Sequence, residues 1–338
     1  MKKLIIQIPC LNEAATLPAT LADLPRSVPG IDVIETLVID DGSRDGTAEV
    51  AQSCGVDHIV RFRRNKGLAA AFMAGIDAAL KAGADFIINT DADNQYAGRD
   101  IQKLLVPLLE GRADICIGDR NMAELQHMSW RKRQLQRLGS WVVRQVSGTS
   151  VPDTTSGFRA YTREAALRMM VVSEFSYTLE SIIQAGKKRM AIAHVEITTN
   201  PRTRESRLFD SIFSYVKRSA ATIVRIYTMY EPLKVFTYLG LLTFGAGSAL
   251  GLRYVYNWLT SPFWSPERQV ASLILAAVLM IVGFQIVVIG LLADVLSGTR
   301  KLLEDLLYRV RSMELHERAS DVEQRHLTHA APKDRWER

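Results

Sequence analysis

A chain of 338 residues, 48% of them apolar and 23% charged, is long enough for one large or two modest cores and excludes a disordered class. Its three cysteines, Cys10, Cys54 and Cys116, lie far apart in or beside apolar segments, which argues against a disulfide framework or a zinc site. The net charge of +6 gathers near two long apolar runs, so attraction to anionic lipid accounts for it and no nucleic-acid partner is expected.

Met1-Lys2-Lys3 precedes only a brief apolar run, Leu4 to Ile8, before Pro9, which suits a first strand better than a signal peptide. Strands are also expected at Thr36 to Ile39, His58 to Arg61, Phe86 to Asn89 and Ile115 to Ile117. Helices fit between them at Ala14 to Leu24, Thr47 to Ser53, Leu68 to Ala82 and Ile101 to Glu110. This alternation predicts an α/β domain with a mostly parallel sheet covered on both faces. Ligands then belong at the carboxyl ends of the strands.

Polar clusters fall at those ends. Pro9-Cys10-Leu11-Asn12-Glu13 follows the first strand, and Asp40-Asp41-Gly42-Ser43-Arg44-Asp45-Gly46-Thr47 follows the second. Turn and cap chemistry explains the glycines and Ser43 or Asp45. It does not require two adjacent carboxylates, so at least one of Asp40 and Asp41 is expected to meet a ligand. Asn65-Lys66-Gly67 before the helix Leu68-Ala69-Ala70-Ala71 suits a phosphate, although close packing of an alanine-rich helix explains the same residues. The sharpest signal is Asp91-Ala92-Asp93-Asn94-Gln95 after Phe86 to Asn89. In an extended strand end, Asp91, Asp93 and Gln95 share a side. Three hard oxygens suit Mg²⁺ or Mn²⁺, with substrate phosphates completing the shell. No Gly-x-Gly-x-x-Gly or Walker-type loop is present, which disfavours dinucleotide oxidoreductases and P-loop ATPases.

Trp130 to Val146 and Leu208 to Tyr230 carry apolar residues at helical spacing among arginines and lysines, as interfacial helices do. Val235 to Leu252 and Val270 to Ala293 are each near the ~20 residues that cross a bilayer, joined by an aromatic connector, Arg253 to Gln269. Basic residues outnumber those of the connector on the outer flanks, which predicts both termini and the large domain on the cytoplasmic side of the cell (inner) membrane. Four segments result: a catalytic domain over 1–205, an interfacial helix over 206–232, a membrane hairpin over 233–296, and a basic helix and charged tail over 297–338.

Taken together, Pro9-x-x-Asn12-Glu13, Asp40-Asp41-Gly42-Ser43-x-Asp45-Gly46-Thr47, Asn65-Lys66-Gly67, Asp91-x-Asp93-x-Gln95, Gly118-Asp119-Arg120 and Asp153-x-x-x-Gly157-Phe158-Arg159 resemble family 2 glycosyltransferases. The set is most similar to their polyprenyl-phosphate branch, over residues 1 to about 230. The resemblance implies an A-type glycosyltransferase fold, an inverting mechanism and a divalent ion, Mg²⁺ or Mn²⁺, on the donor diphosphate. By position, Pro9, Leu11, Glu13, Ile39, Asp41, Asp91 and Ala92 would bind the nucleotide, and Asp91, Asp93 and Gln95 the metal. Asp91, Asp93, Arg120, Arg159 and Arg207 would carry the chemistry. Arg120, Arg202, Ser206 and Arg207 would hold acceptor or donor phosphate, the last two matching a loop that usually has glycine where this chain has Arg204.

The implied substrates are a nucleotide diphosphate sugar, UDP-linked rather than GDP-linked, and a polyprenyl phosphate, giving a lipid-linked sugar for cell-envelope glycans. An anionic acceptor needs no strong base, whereas a hydroxyl acceptor would, and Glu174 and Glu180 lie in the region for one. Two other readings stay open: a saccharide or protein acceptor, and a non-catalytic membrane scaffold. Assembly into a homo-oligomer is open as well.

Overall fold

A computed structural model describes residues 1–120, 130–172, 177–201, 212–260 and 269–330. Two compact units emerge, one of Met1–Ile223 with Glu304–Arg338 and one of Val224–Leu303.

The first unit is built on a seven-stranded sheet. Its strands are β1 (Lys3–Cys10), β2 (Val33–Asp40), β3 (His58–Arg61), β4 (Phe86–Asn89), β5 (Ile115–Asp119), β6 (Arg159–Thr162) and β7 (Ile192–Glu196). The order across the sheet is β3-β2-β1-β4-β6-β5-β7. All neighbours are parallel except β6, which runs antiparallel to both β4 and β5. The interior strand β1 is apolar on both faces, with Leu4, Ile5, Ile6 and Ile8 fully buried, as expected where helices cover both sides.

The helices are α1 (Leu17–Asp23), α2 (Thr47–Ser53), α3 (Leu68–Lys81), α4 (Ile101–Leu109), α5 (Trp130–Ser147), α6 (Arg163–Arg168), α7 (Tyr177–Lys187), α8 (Ile212–Tyr230), α9 (Pro232–Thr260) and α10 (Val270–Ala330). Small residues let α3 lie close on the sheet. A Cβ at Gly75 would collide with Gln7 Oε1 and come within 2.8 Å of Ile39 Cδ1. Asn65-Lys66-Gly67 is bound to this packing: Lys66 N and Gly67 N donate to Asp41 Oδ1 and Oδ2 at 2.7 and 2.9 Å. The protein's own carboxylate thus takes the place expected for a phosphate at the start of α3.

The second unit contains a helical hairpin. α9 extends to Thr260, so the first half of the expected connector is helix. Its two helices cross at glycines: a Cβ on Gly283 would lie 2.5 Å from Phe244 N, and one on Gly240 would lie 2.7 Å from Gly283 O. Such close backbone approach is the packing mode of helices in lipid. Outward-facing Leu242 and Phe284 are 73% and 63% exposed, too apolar for a soluble hairpin. Beyond this unit α10 stays helical to Ala330, so helix reaches into the segment expected as a charged tail.

Candidate active site

The antiparallel entry of β6 builds the site. Because Asn89 at the end of β4 and Ile117 in β5 both stand opposite Arg159, the Asp153–Arg159 motif is drawn to the carboxyl ends of β4 and β5. A buried polar column supports it from beneath. Gln7 Nε2 donates to Asn89 Oδ1 at 2.9 Å, and Asn89 Nδ2 donates to Gly157 O and to Tyr177 Oη at 2.9 and 2.8 Å. Tyr177 stacks on Phe72 at 4.1 Å, which fixes its ring. Tyr96, stacked on Phe158, accepts from Gly157 N at 3.1 Å. Gly157 lies directly under Asp91: a Cβ there would be 3.0 Å from both carboxylate oxygens.

Asp91 and Asp93 occupy a turn, not an extended strand end, since Asn94 between them and Gln95 has φ of 55°. This corrects the expected alternation. Gln95 consequently points its amide at its neighbour, Nε2 donating to Asp93 Oδ2 at 2.7 Å. The turn is clamped on two sides. Thr20 Oγ1 donates to Ala92 O at 2.9 Å, Asn200 Nδ2 to Asn94 O at 3.1 Å, and Asn200 N to Gln95 O at 2.9 Å. Residue 201 therefore leaves the clamp beside the acidic turn.

Burial and then the neighbouring charge of Asp93 push the Asp91 carboxyl up to about 7, against the opposing pull of Arg120 and Arg159. Two carboxylates in one turn, the charge of one raising the other, fit a divalent cation that takes its remaining oxygens from a diphosphate. Asp91 and Asp93 are the residues that would hold it.

Arg120, just past β5, is gripped by Asp153, Nε donating to Oδ2 at 2.7 Å and Nη2 to Oδ1 at 3.1 Å; Nη2 also meets Thr155 Oγ1 at 2.8 Å. Burial would raise the Asp153 carboxyl, but the charge and hydrogen bonds of Arg120 hold it below its usual range. Arg159 is placed differently. Nearly fully buried, it donates from Nε to Ser156 O, from Nη1 to Thr178 O and Ser181 Oγ, and from Nη2 to Thr154 O. These bonds make it a strut that shapes the 154–157 loop, from which its charge still pulls on Asp91.

Of the expected nucleotide pocket, Leu11 is 38% exposed at the mouth, and Glu13 is half-buried with Oε2 accepting from Thr16 Oγ1 at 2.7 Å. Pro9, Ile39 and Ala92 are buried at the same edge, Ala92 packed with Ile8, Cys10 and Leu17. Asp40 and Asp41 both tie loops, Asp40 Oδ1 accepting from Ser43 N at 2.8 Å. Burial outweighs the two backbone donors and raises the Asp41 carboxyl. Arg202, Ser206, Arg207 and Glu174 lie outside the described residues. Glu180 faces inward rather than solvent, 2% exposed, with Oε1 accepting from Val172 N. Asn89, Tyr177 and Asn200 escaped the sequence reading, and only their position beside quoted motifs could have signalled them.

Residues 5–169 match glycosyl transferase family 2, and residues 218–297 match the glycosyltransferase family 2 C-terminal transmembrane region. The chain belongs to glycosyltransferase family 2. This family 2 enzyme is 28% identical over 307 residues to glycosyltransferase AglJ of Haloferax volcanii, covering 88% of the present chain and 94% of the relative. It is 30% identical over 170 residues to the polyprenol monophosphomannose synthase of Mycolicibacterium smegmatis, covering 48% of the chain and 63% of that relative's length. Among solved structures, glucosyl-3-phosphoglycerate synthase of Mycobacterium tuberculosis in complex with Mn²⁺, UDP-glucose and phosphoglyceric acid is similar with a TM-score of 0.54. That likeness, at 21% identity over 67% of this chain and 80% of the other, shows the fold. The A-type glycosyltransferase fold expected from the motifs is borne out, as is a membrane region after it.

Proposed function

We propose that this family 2 glycosyltransferase moves a sugar, with inversion, from a UDP-linked donor to the phosphate of a polyprenyl phosphate at the cytoplasmic face of the cell membrane. The observation that carries the reading is the Asp91–Asp93 turn over Gly157, beside Arg120, in a chain that also has an apolar helical hairpin. An acceptor phosphate oxygen attacks the anomeric carbon; the new C–O bond forms as the bond to the diphosphate breaks, and the leaving group departs with the electron pair. Asp91 and Asp93 would hold Mg²⁺ or Mn²⁺, which when bound neutralises charge developing on the leaving diphosphate. Arg120 contributes fixed positive charge at that edge, oriented by Asp153. Pro9, Leu11, Glu13, Ile39, Asp41 and Ala92 border the space for the nucleotide.

A phosphate acceptor arrives already ionised and needs placement rather than a base. The inward-turned Glu180 agrees with that economy. Arg202, Ser206 and Arg207, in the segment that begins at the Asn200 clamp, are assigned to donor and acceptor phosphates. The domain, interfacial helix, hairpin and C-terminal helix divide at 205, 232 and 296 on this reading. The enzyme given radiolabelled donor and polyprenyl phosphate should yield label that enters an organic phase and is released by mild acid. Label that stays in water on a saccharide or protein would replace the lipid acceptor with one of those.

A further inference from the structure

The part of α10 that belongs to the first unit has two unlike faces. Glu304, Tyr308 and Arg311 are fastened to the catalytic domain: Glu304 to Lys188 Nζ at 3.0 Å, Tyr308 Oη to Glu164 Oε2 at 3.1 Å, and Arg311 Nη1 to Met169 O at 3.0 Å. The other face carries Leu306, Val310 and Met313, which are 56%, 50% and 70% exposed. Leu303, one turn earlier on the same helix, is 61% exposed. A polar fastened face opposite an apolar free one reverses the usual pattern of a surface helix.

Spacings of 3, 4 and 3 residues from Leu303 to Met313 are those of a coiled-coil seam, with Leu303 and Val310 at a and Leu306 and Met313 at d. We infer that this face pairs with the same face of a second copy of the chain, as a parallel, in-register two-stranded coiled coil. A β-branched Val at a with Leu at d suits two strands. The flanking charges match as well. Arg309 falls at g and Glu314 at the e position that meets it across a parallel pair; both are exposed, and Arg309 Nε also holds Asp305 Oδ2 of its own helix at 3.0 Å. Two copies inserted alike in one bilayer would emerge with α10 parallel and at equal depth, which sets the register without further contacts. So short a seam would be weak in free solution, but confinement in a membrane raises its effective concentration.

The orientation rests on reading α10 as a membrane span, not on the reaction proposed above, and the test reads association rather than turnover. In full-length protein with Cys54→Ser, the only exposed cysteine is removed. Single substitutions Leu306→Cys and Met313→Cys, oxidised in native membranes, should each give a disulfide-linked species of twice 37.8 kDa. Asp305→Cys, off the seam, should not. Absence of that species at both seam positions, or equal yield at position 305, would overturn the pairing and leave the face to lipid or another protein. Val310→Lys, added to the Leu306→Cys protein, should abolish the cross-linked species in those membranes with an unchanged thermal melt. A dimer that survives it contradicts the proposal.

Discussion

Asp91 carries its charge at a cost: burial and Asp93 push its carboxyl up to about 7, and the pull of Arg120 and Arg159 offsets only part of that. A folded pKa above the ordinary carboxylate value means the fold holds a proton that the unfolded chain has released between about pH 4 and pH 7. That contribution is fully present below pH 4 and is lost as pH rises through 7, on the order of 4 kcal/mol in all. Asp91→Asn should therefore flatten the fall in melting temperature between pH 5 and 8 in chelator-treated protein. Added Mn²⁺ should raise the wild-type melt more at pH 8 than at pH 5, since binding requires the ionised carboxylate. Equal pH slopes in wild type and variant would contradict the assignment. Asp93→Ala should abolish the gain in UDP affinity that Mn²⁺ provides, as read by titration calorimetry. Arg120 and Asp153 form the other charged pair. Asp153→Ala strands a largely buried guanidinium and should cost about 3–5 kcal/mol by denaturant unfolding. Arg120→Lys keeps the charge but loses the fork, and should lower turnover with little effect on stability.

At the scale of elements, strands with unbroken apolar runs were legible. β3 and β4 have the bounds that periodicity and β-branched composition predict, and α2 does too. β6 and β7 were not, because Arg-Ala-Tyr-Thr and Ile-Ala-His-Val-Glu owe their pairing to neighbours already in the sheet rather than to their own pattern. Missing β6 hid why Gly157 comes to lie under Asp91, and the extended geometry expected of Asp91–Gln95 failed on one left-handed residue, Asn94. Such a conformation is favoured by Asn but is not required by it. The hairpin was legible in length, while its closeness depends on glycines whose partners only the fold reveals. Gly283→Leu should force α9 and α10 apart, since its Cβ meets the backbone of Phe244 and Gly240. A destabilisation of about 1–3 kcal/mol or more, read as a lower melt in detergent, is expected; an unchanged melt would deny the crossing.

For the whole molecule, the two family matches and the acidic turn define a glycosyltransferase with a membrane region, and the acceptor is the claim that joins them. The most direct measurement uses the purified full chain in detergent with Mn²⁺ or Mg²⁺, a panel of UDP- and GDP-sugars, and a short polyprenyl phosphate. Nucleoside diphosphate release is followed with and without the lipid. The account predicts release from one UDP-sugar that depends on both the lipid and the metal. Release that ignores the lipid across the panel, or no release from any donor, would contradict it.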